Sequence, residues 1–281
     1  MIPNIIHFVF GMAPDFGGRP FILFHYLAIK SAYEVNKPDK IYFVCAYEPT
    51  GEWFEKAKPY IEIVKIDPPK EIFGRPLKHY AHQADIIRLQ RIIEFGGIYM
   101  DLDVICQKPL MPFLSSSHLI LGKAYQYWHY QPQGKKRKLL YHTGIHRPKS
   151  KKILRGLCNA VIMAPAQDSF LIRWLESYKN FRAEGHDTYW DEHSVIIPDA
   201  LAKVYFDELS IVEDNLFFYP SFDENSLREL YEKNLDFQDA YLFHLWESLS
   251  FEKYLVKLTV ESIQKIDTTY NKLARKFLYK S

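Results

Sequence analysis

Residues 2–10 (IPNIIHFVF) are apolar almost without a break, the pattern of a strand buried on both faces. A loop carrying Pro14, Gly17, Gly18 and Pro20 follows. Residues 21–35 then predict a helix, 40–47 (KIYFVCAY) a second strand, 51–60 a helix and 61–66 a third strand. In residues 81–95 the apolar positions Ile86, Leu89 and Ile93 recur at i, i+3 and i+7, one face of a helix. Gly96 and Gly97 end it, since one of them can take the left-handed conformation of a helix C-terminus. From Ile98 the period becomes two, with Ile98, Met100, Leu102 and Val104 on one face of a strand and Tyr99, Asp101 and Asp103 on the other. Residues 157–164 (LCNAVIMA) predict a strand, 168–181 a helix, and 251–281 a long, basic helical stretch. Alternating strands and helices indicate an α/β class with a mainly parallel sheet, whose ligands bind outside the carboxyl ends of the strands. No repeat or linker divides the chain, so residues 1–281 are expected to form one domain.

Two carboxylates sit near the end of the strand that follows the glycines. Burying Asp101 and Asp103 so close together is costly without a compensating cation. A divalent metal supplies that compensation and prefers oxygen ligands. An Asp-x-Asp triplet alone is a weak signal. Here it is preceded by a helix on which Asp85 and Arg88 are i, i+3 and share a face. Arg88 has the planar fork that suits phosphate oxygens. Near the C-terminus His244 and Trp246 are two apart, facing the same way if they lie on a strand. Taken alone, a histidine in an apolar strand is more often a satisfied core residue.

Residues 84–104 (ADIIRLQRIIEFGGIYMDLDV) resemble the DXD-containing sugar-binding region of family 32 glycosyltransferases, and residues 2–11 (IPNIIHFVFG) resemble the first strand of that family. Its members include initiation-specific mannosyltransferases and capsular sugar transferases, and the glucosylating domains of clostridial toxins are more distantly similar. The resemblance implies a GT-A-like fold and a metal-dependent, retaining transfer from a nucleotide sugar to a glycan or lipid-linked saccharide acceptor, as in polysaccharide biosynthesis. It assigns residues 1–110 to nucleotide-sugar binding and 111–250 to the acceptor side and the rest of the active site. It implies nucleotide contacts at His7, Phe8, Val9 and Phe10, with Arg88, Tyr99 and Trp246, and donor-sugar contacts at Asp85 and Asn159. Asn159 also fits a plain strand-end hydrogen bonder. Asp101 would lie near the ribose and donor sugar and share with Asp103 and His244 in holding Mn²⁺ or Mg²⁺. His244 would complete that metal site or contact the diphosphate. UDP is the nucleotide expected, with GDP-mannose the alternative. The usual Ser-Trp pair of the family is absent, and Glu247-Ser248-Leu249 stands there instead.

Composition narrows the alternatives. A net charge of +2 argues against a nucleic-acid partner, and the basic runs at 135–138 (KKRK) and 149–152 (KSKK) read as solvated loop. Aromatic residues make up 16%, enough to fill a core and also face a sugar cleft. Those of residues 113–134, including Tyr125, Tyr127, Trp128, His129 and Tyr130, suit an acceptor-side insertion, and 189–193 (YWDEH) either a hydroxyl-binding cluster or a surface loop. Cys45, Cys106 and Cys158 lack metal-knuckle spacing, and Cys45 and Cys106 read as reduced core residues. With no leader pattern and no apolar run of membrane-spanning length, a cytoplasmic enzyme is expected. The 251–281 segment packs on the domain or, as a basic amphipathic helix, touches an anionic membrane. Two other functions share the pattern: a toxin-like protein glycosyltransferase, and a non-catalytic module that binds a nucleotide sugar or glycan.

Overall fold

Strand β1 (Ile5–Val9) is the hub of the fold, pairing in parallel with β2 (Lys40–Cys45) on one side and β6 (Gly97–Met100) on the other. The computed structural model describes residues 1–128 and 151–278. The KKRK run, His129 and Tyr130 lie outside these residues, and of KSKK only Lys151 and Lys152 lie within them. Beyond β2 lies β3 (Glu62–Lys65), followed in the chain by a small hairpin of β4 (Glu71–Ile72) and β5 (Arg75–Pro76). β7 (Val104–Cys106) leaves the main sheet. β8 (Leu119–Trp128), β9 (Lys151–Ala164) and β10 (Leu209–Val212) complete it, and β11 (Leu242–His244) pairs with β7. The order across the seven-stranded sheet is β10-β8-β9-β6-β1-β2-β3. Only β9 runs against the rest, so the expected α/β class with a mainly parallel sheet is observed.

The alternating pattern sorts side chains onto two faces. Ile6, Phe8, Phe43, Ile98 and Met100 pack under α1 (Leu23–Asn36) in one core. Val9, Val44, Tyr99 and Ile162 pack on the other side with Ile86, Leu89 and Ile92 of α3 (Tyr80–Phe95) and with Phe170 and Trp174 of α4 (Ser169–Ser177). Between them in the chain, α2 (Glu52–Ala57) covers the first core with Phe54. Each such buried apolar side chain contributes about 1.5–3 kcal/mol. The sheet changes winding direction at β1, because β2 and β3 lie to one side and β6 to the other. A crevice therefore opens outside the carboxyl ends of β1 and β6.

Two expected elements differ. The strand from Ile98 to Val104 is interrupted: β6 stops at Met100, the Asp101 N–H still donates to Ala160 O at 2.8 Å, and Val104 N–H donates back to Asp101 O at 3.0 Å. The Asp-Leu-Asp triplet is thus a turn, which an aspartate at its first position favours. The described part of the 251–281 segment, up to residue 278, is not one helix. It is a 3₁₀ turn (Leu255–Lys257) followed by two short helices, the last in a series after α4 of α5 (Ile197–Val204), α6 (Asp214–Phe217), α7 (Glu224–Tyr231) and α8 (Glu247–Ser250): α9 (Val260–Lys265) and α10 (Thr269–Arg275). Thr259 and Thr268 each cap the helix that follows them, and a side chain that satisfies a new N-terminus ends the previous run. Leu255, Ile263, Leu273 and Phe277 are buried in the main core, so the segment packs on the domain. No helix among the described residues is long and apolar enough to cross a membrane. All three cysteines are buried and free.

Candidate active site

The crevice is a cleft of about 470 Å³. Its floor is built by the turn after β6. Tyr99 OH donates to Asp101 Oδ1 at 2.5 Å, and Arg88 Nη1 reaches the same oxygen at 3.0 Å. Arg88 comes from the buried face of α3 and lies over the Tyr99 ring, 4.5 Å from its centroid. Its other contacts are also internal. Nη1 donates to Asn159 O at 3.0 Å, Nη2 lies 3.4 Å from Asp85 Oδ1, and Nε faces Ala84 O. Asn159, on β9, donates from Nδ2 to Asp85 Oδ1 at 2.7 Å. Asp85, Arg88, Asn159 and Asp101 are therefore one connected network, as their shared helix face and strand positions allow.

Asp103 is held from the far end of the chain. The antiparallel pairing of β7 with β11 sets His244 opposite Val104. His244 Nε2 comes within 3.2 Å of Asp103 Oδ1, Leu245 N–H donates to Asp103 O at 2.8 Å, and Glu247 N–H donates to Asp103 Oδ2 at 2.7 Å. Trp246 makes this clamp possible by taking a left-handed backbone conformation (φ 55°), unusual for a bulky residue. Its ring packs 4.0 Å from that of His244 and its Nε1 donates to Pro220 O.

Asp101, Asp103 and His244 each offer a ligand atom within 4.8 Å of the other two. The electrostatics suit a cation. Burial pushes the Asp101 carboxyl above its ordinary range, with Asp103 adding to the rise and Arg88 opposing it. Burial also acts to raise Asp103, but the adjacent His244 and the Glu247 amide outweigh it and hold that carboxyl down. Burial disfavours the charged form of His244, yet the Asp103 carboxylate more than restores it and its pKa rises. Arg88 pairs with both Asp85 and Asp101, and His244 Nδ1 is buried without a hydrogen-bond partner among the described residues. Two carboxylates and an imidazole form a donor set that fits Mn²⁺, and the carboxylates alone could serve Mg²⁺.

The remaining expected residues are placed unevenly. Val9, Phe10, Tyr99 and Trp246 line the cleft. His7 and Phe8 do not: both are fully buried, His7 Nε2 lies 3.1 Å from Gly96 O, and Phe8 packs under α1. Asp85 lies behind Arg88. Of residues 189–193 only Trp190 reaches the cleft. Asp191 and Glu192 pair with Arg155 and Arg182, and His193 is buried against Ser177 O. The structure adds cleft residues that no sequence pattern marked: Arg19, His79, Tyr80 and His186. His79 alone carried a local signal, since it accepts the Ala81 N–H as the N-cap of α3. Glu247, noted only as a departure, lines the cleft as well.

The chain is similar to several known proteins. Residues 25–120 match the family described as a glycosyltransferase sugar-binding region containing a DXD motif. The chain is 33% identical over 284 residues to glucan organizing enzyme 1 of Cryptococcus neoformans var. grubii, covering 99% of this chain and 71% of that protein. Among solved structures it is similar to the galactosyltransferase LgtC in complex with donor and acceptor sugar analogues (12% identity, TM-score 0.43, covering 99% of this chain and 97% of that one). It is also similar to mouse xyloside xylosyltransferase 1 (11% identity, TM-score 0.47, 89% and 99% covered).

Proposed function

Because the chain belongs to the glycosyltransferases whose sugar-binding region contains a DXD motif, we propose that it is a divalent-metal-dependent, retaining hexosyltransferase that moves a sugar from a UDP-sugar to a glycan or lipid-linked saccharide. The observation that carries this reading is the meeting of Asp101, Asp103 and His244 within 4.8 Å at the floor of the cleft.

In this reading the nucleoside lies against Val9, Phe10 and Trp246 at the carboxyl end of β1. Asp101, Asp103 and His244 would hold Mn²⁺. When bound, the cation offsets negative charge on the departing diphosphate. Asp101 is kept in place by Tyr99 OH and Arg88, and Arg88 by Asp85 and Asn159, so the floor is rigid before substrate arrives. The acceptor hydroxyl attacks the anomeric carbon and the bond from that carbon to the phosphate oxygen breaks. The leaving diphosphate takes the electron pair and accepts the hydroxyl proton. Among the described residues, the carboxylates lining the cleft are Asp101, Asp103 and Glu247. Two of these face the cation and the third pairs with Arg19, which favours attack beside the leaving group over a covalent glycosyl-enzyme.

The test is donor hydrolysis by the purified protein with Mn²⁺, across UDP- and GDP-sugars, beside Asp103→Ala. Metal-dependent release of the nucleoside diphosphate from one donor, lost in the variant, supports the transferase and identifies its sugar. Donor binding without hydrolysis, and without transfer to any glycan acceptor tried, would favour a binding module. Neither binding nor turnover with any donor would overturn the reading.

A further inference from the structure

Arg88 is poorly placed to serve the departing diphosphate. Its side chain is only 9% exposed, and Nη1, Nη2 and Nε all face protein acceptors. To bind a phosphate oxygen it would have to release Asp101 or Asp85, leaving a buried carboxylate uncompensated.

A second guanidinium lines the same cleft. Arg19 lies in the loop after β1, is 31% exposed and stacks over Phe251 with Cζ 5.1 Å from the ring centroid. Its partner is Glu247, and the pair is loose, with Nη1 and Oε1 3.9 Å apart. Glu247 is also the residue whose backbone N–H holds Asp103, so the Arg19 charge lies one residue from the cation-binding carboxylates. Glu247 has a second neighbour: His25 Nε2, fully buried and without a hydrogen-bond partner among the described residues, is 3.8 Å from Oε2. The carboxylate therefore keeps a neighbour if Arg19 turns away. A partly hydrated, weakly held guanidinium is the one that can exchange a carboxylate for phosphate oxygens at little cost.

We propose that Arg19 is the cation that engages the leaving diphosphate, exchanging its ion pair with Glu247 for phosphate oxygens, while Arg88 is a positioning residue that holds Asp101. This rests on the glycosyltransferase reading above. Glu247 then acts as a stand-in anion that keeps Arg19 at the cleft until donor binds.

Calorimetric titration with UDP, GDP and uridine in the presence of Mn²⁺ tests it in the wild type, Arg19→Ala and Glu247→Gln. Arg19→Ala is expected to weaken binding of the preferred diphosphate by about tenfold or more and to leave uridine within about twofold. Glu247→Gln removes the competing anion and is expected to tighten diphosphate binding about two- to fivefold. Unchanged diphosphate affinity in Arg19→Ala would overturn the assignment, as would an equal loss in both variants, which would make the pair a structural strap. If the wild type bound neither diphosphate, the transferase reading itself would fall, and this assignment with it.

Discussion

The Glu247 backbone N–H donates to Asp103 Oδ2 at 2.7 Å, joining residues 144 positions apart. With His244 at 3.2 Å and Leu245 N–H on the Asp103 carbonyl, four consecutive residues around the left-handed Trp246 form a clamp on one aspartate. The C-terminal part of the chain thus finishes a site whose aspartate pair lies in the N-terminal half.

Asp103→Asn keeps the shape and the acceptor for Glu247 but removes the charge. Turnover of donor at saturating Mn²⁺ is expected to fall about 10²–10³-fold, with half-maximal activity moved to higher metal concentration. Steady-state rates across a Mn²⁺ titration check this. Wild-type metal dependence in the variant would remove Asp103 from the cation site.

Asp85 supports Arg88 and receives the Asn159 amide, so Asp85→Ala leaves two buried donors short of an acceptor. A stability loss of about 1–3 kcal/mol is expected, together with reduced kcat. In a cycle with Asn159→Ala the two losses are expected to be non-additive by about 1 kcal/mol, measured by urea unfolding. Strict additivity would show that the two side chains act separately.

Burial, reinforced by Arg91, lowers the His7 pKa from 6.5 to about 4. The unfolded chain then takes up a proton that the folded chain refuses, so stability is full above about pH 6.5 and falls as pH drops towards 4. The loss attributable to His7 is up to roughly 3 kcal/mol. His7→Gln is expected to be less stable at pH 7, through loss of packing, but to show a flatter acid limb in urea midpoints between pH 7 and 4. An unchanged acid limb would assign that pH dependence to other groups.

Gly96 and Gly97 have φ of 66° and 106°, and a Cβ on Gly97 would sit 2.4 Å from Ile5 O. The hub strand leaves no room there and the conformation suits glycine alone. Gly97→Ala is expected to cost more than about 2 kcal/mol in urea unfolding, beyond an ordinary surface change. A near-neutral effect would mean that β1 and β6 can separate without penalty.

The sequence made the floor of the cleft legible because its signals are local. The α3 stripe, the paired glycines and the switch to period two placed Asp85, Arg88, Asp101 and Asp103 within one helix-turn-strand unit, and the resemblance added His244. The same periodicity misled where a turn was hidden in it: the apolar face running through Leu102 concealed the break between β6 and β7. The four-residue run His7, Phe8, Val9 and Phe10 was too coarse a reading, because a strand turns alternate residues to opposite faces and only the residues at its carboxyl end reach the crevice. In 251–281 the lysines and leucines suggested a continuous helix, while the capping threonines decided otherwise. Arg19, Tyr80 and His186 come from separate segments with no shared period, so only tertiary folding brings them to one cleft.

The pairing of β7 with β11 also has a temporal meaning. Strands β1, β2, β3 and β6 can assemble once the first hundred or so residues are available, but β6 keeps a bare edge until β9 arrives, and Asp103 lacks its clamp until His244 and Glu247 follow. Non-local closures of this kind are slow steps in folding. A growing chain would therefore carry its aspartate pair long before it could hold a cation tightly. The capacity for catalysis would come only once β11 had closed on β7.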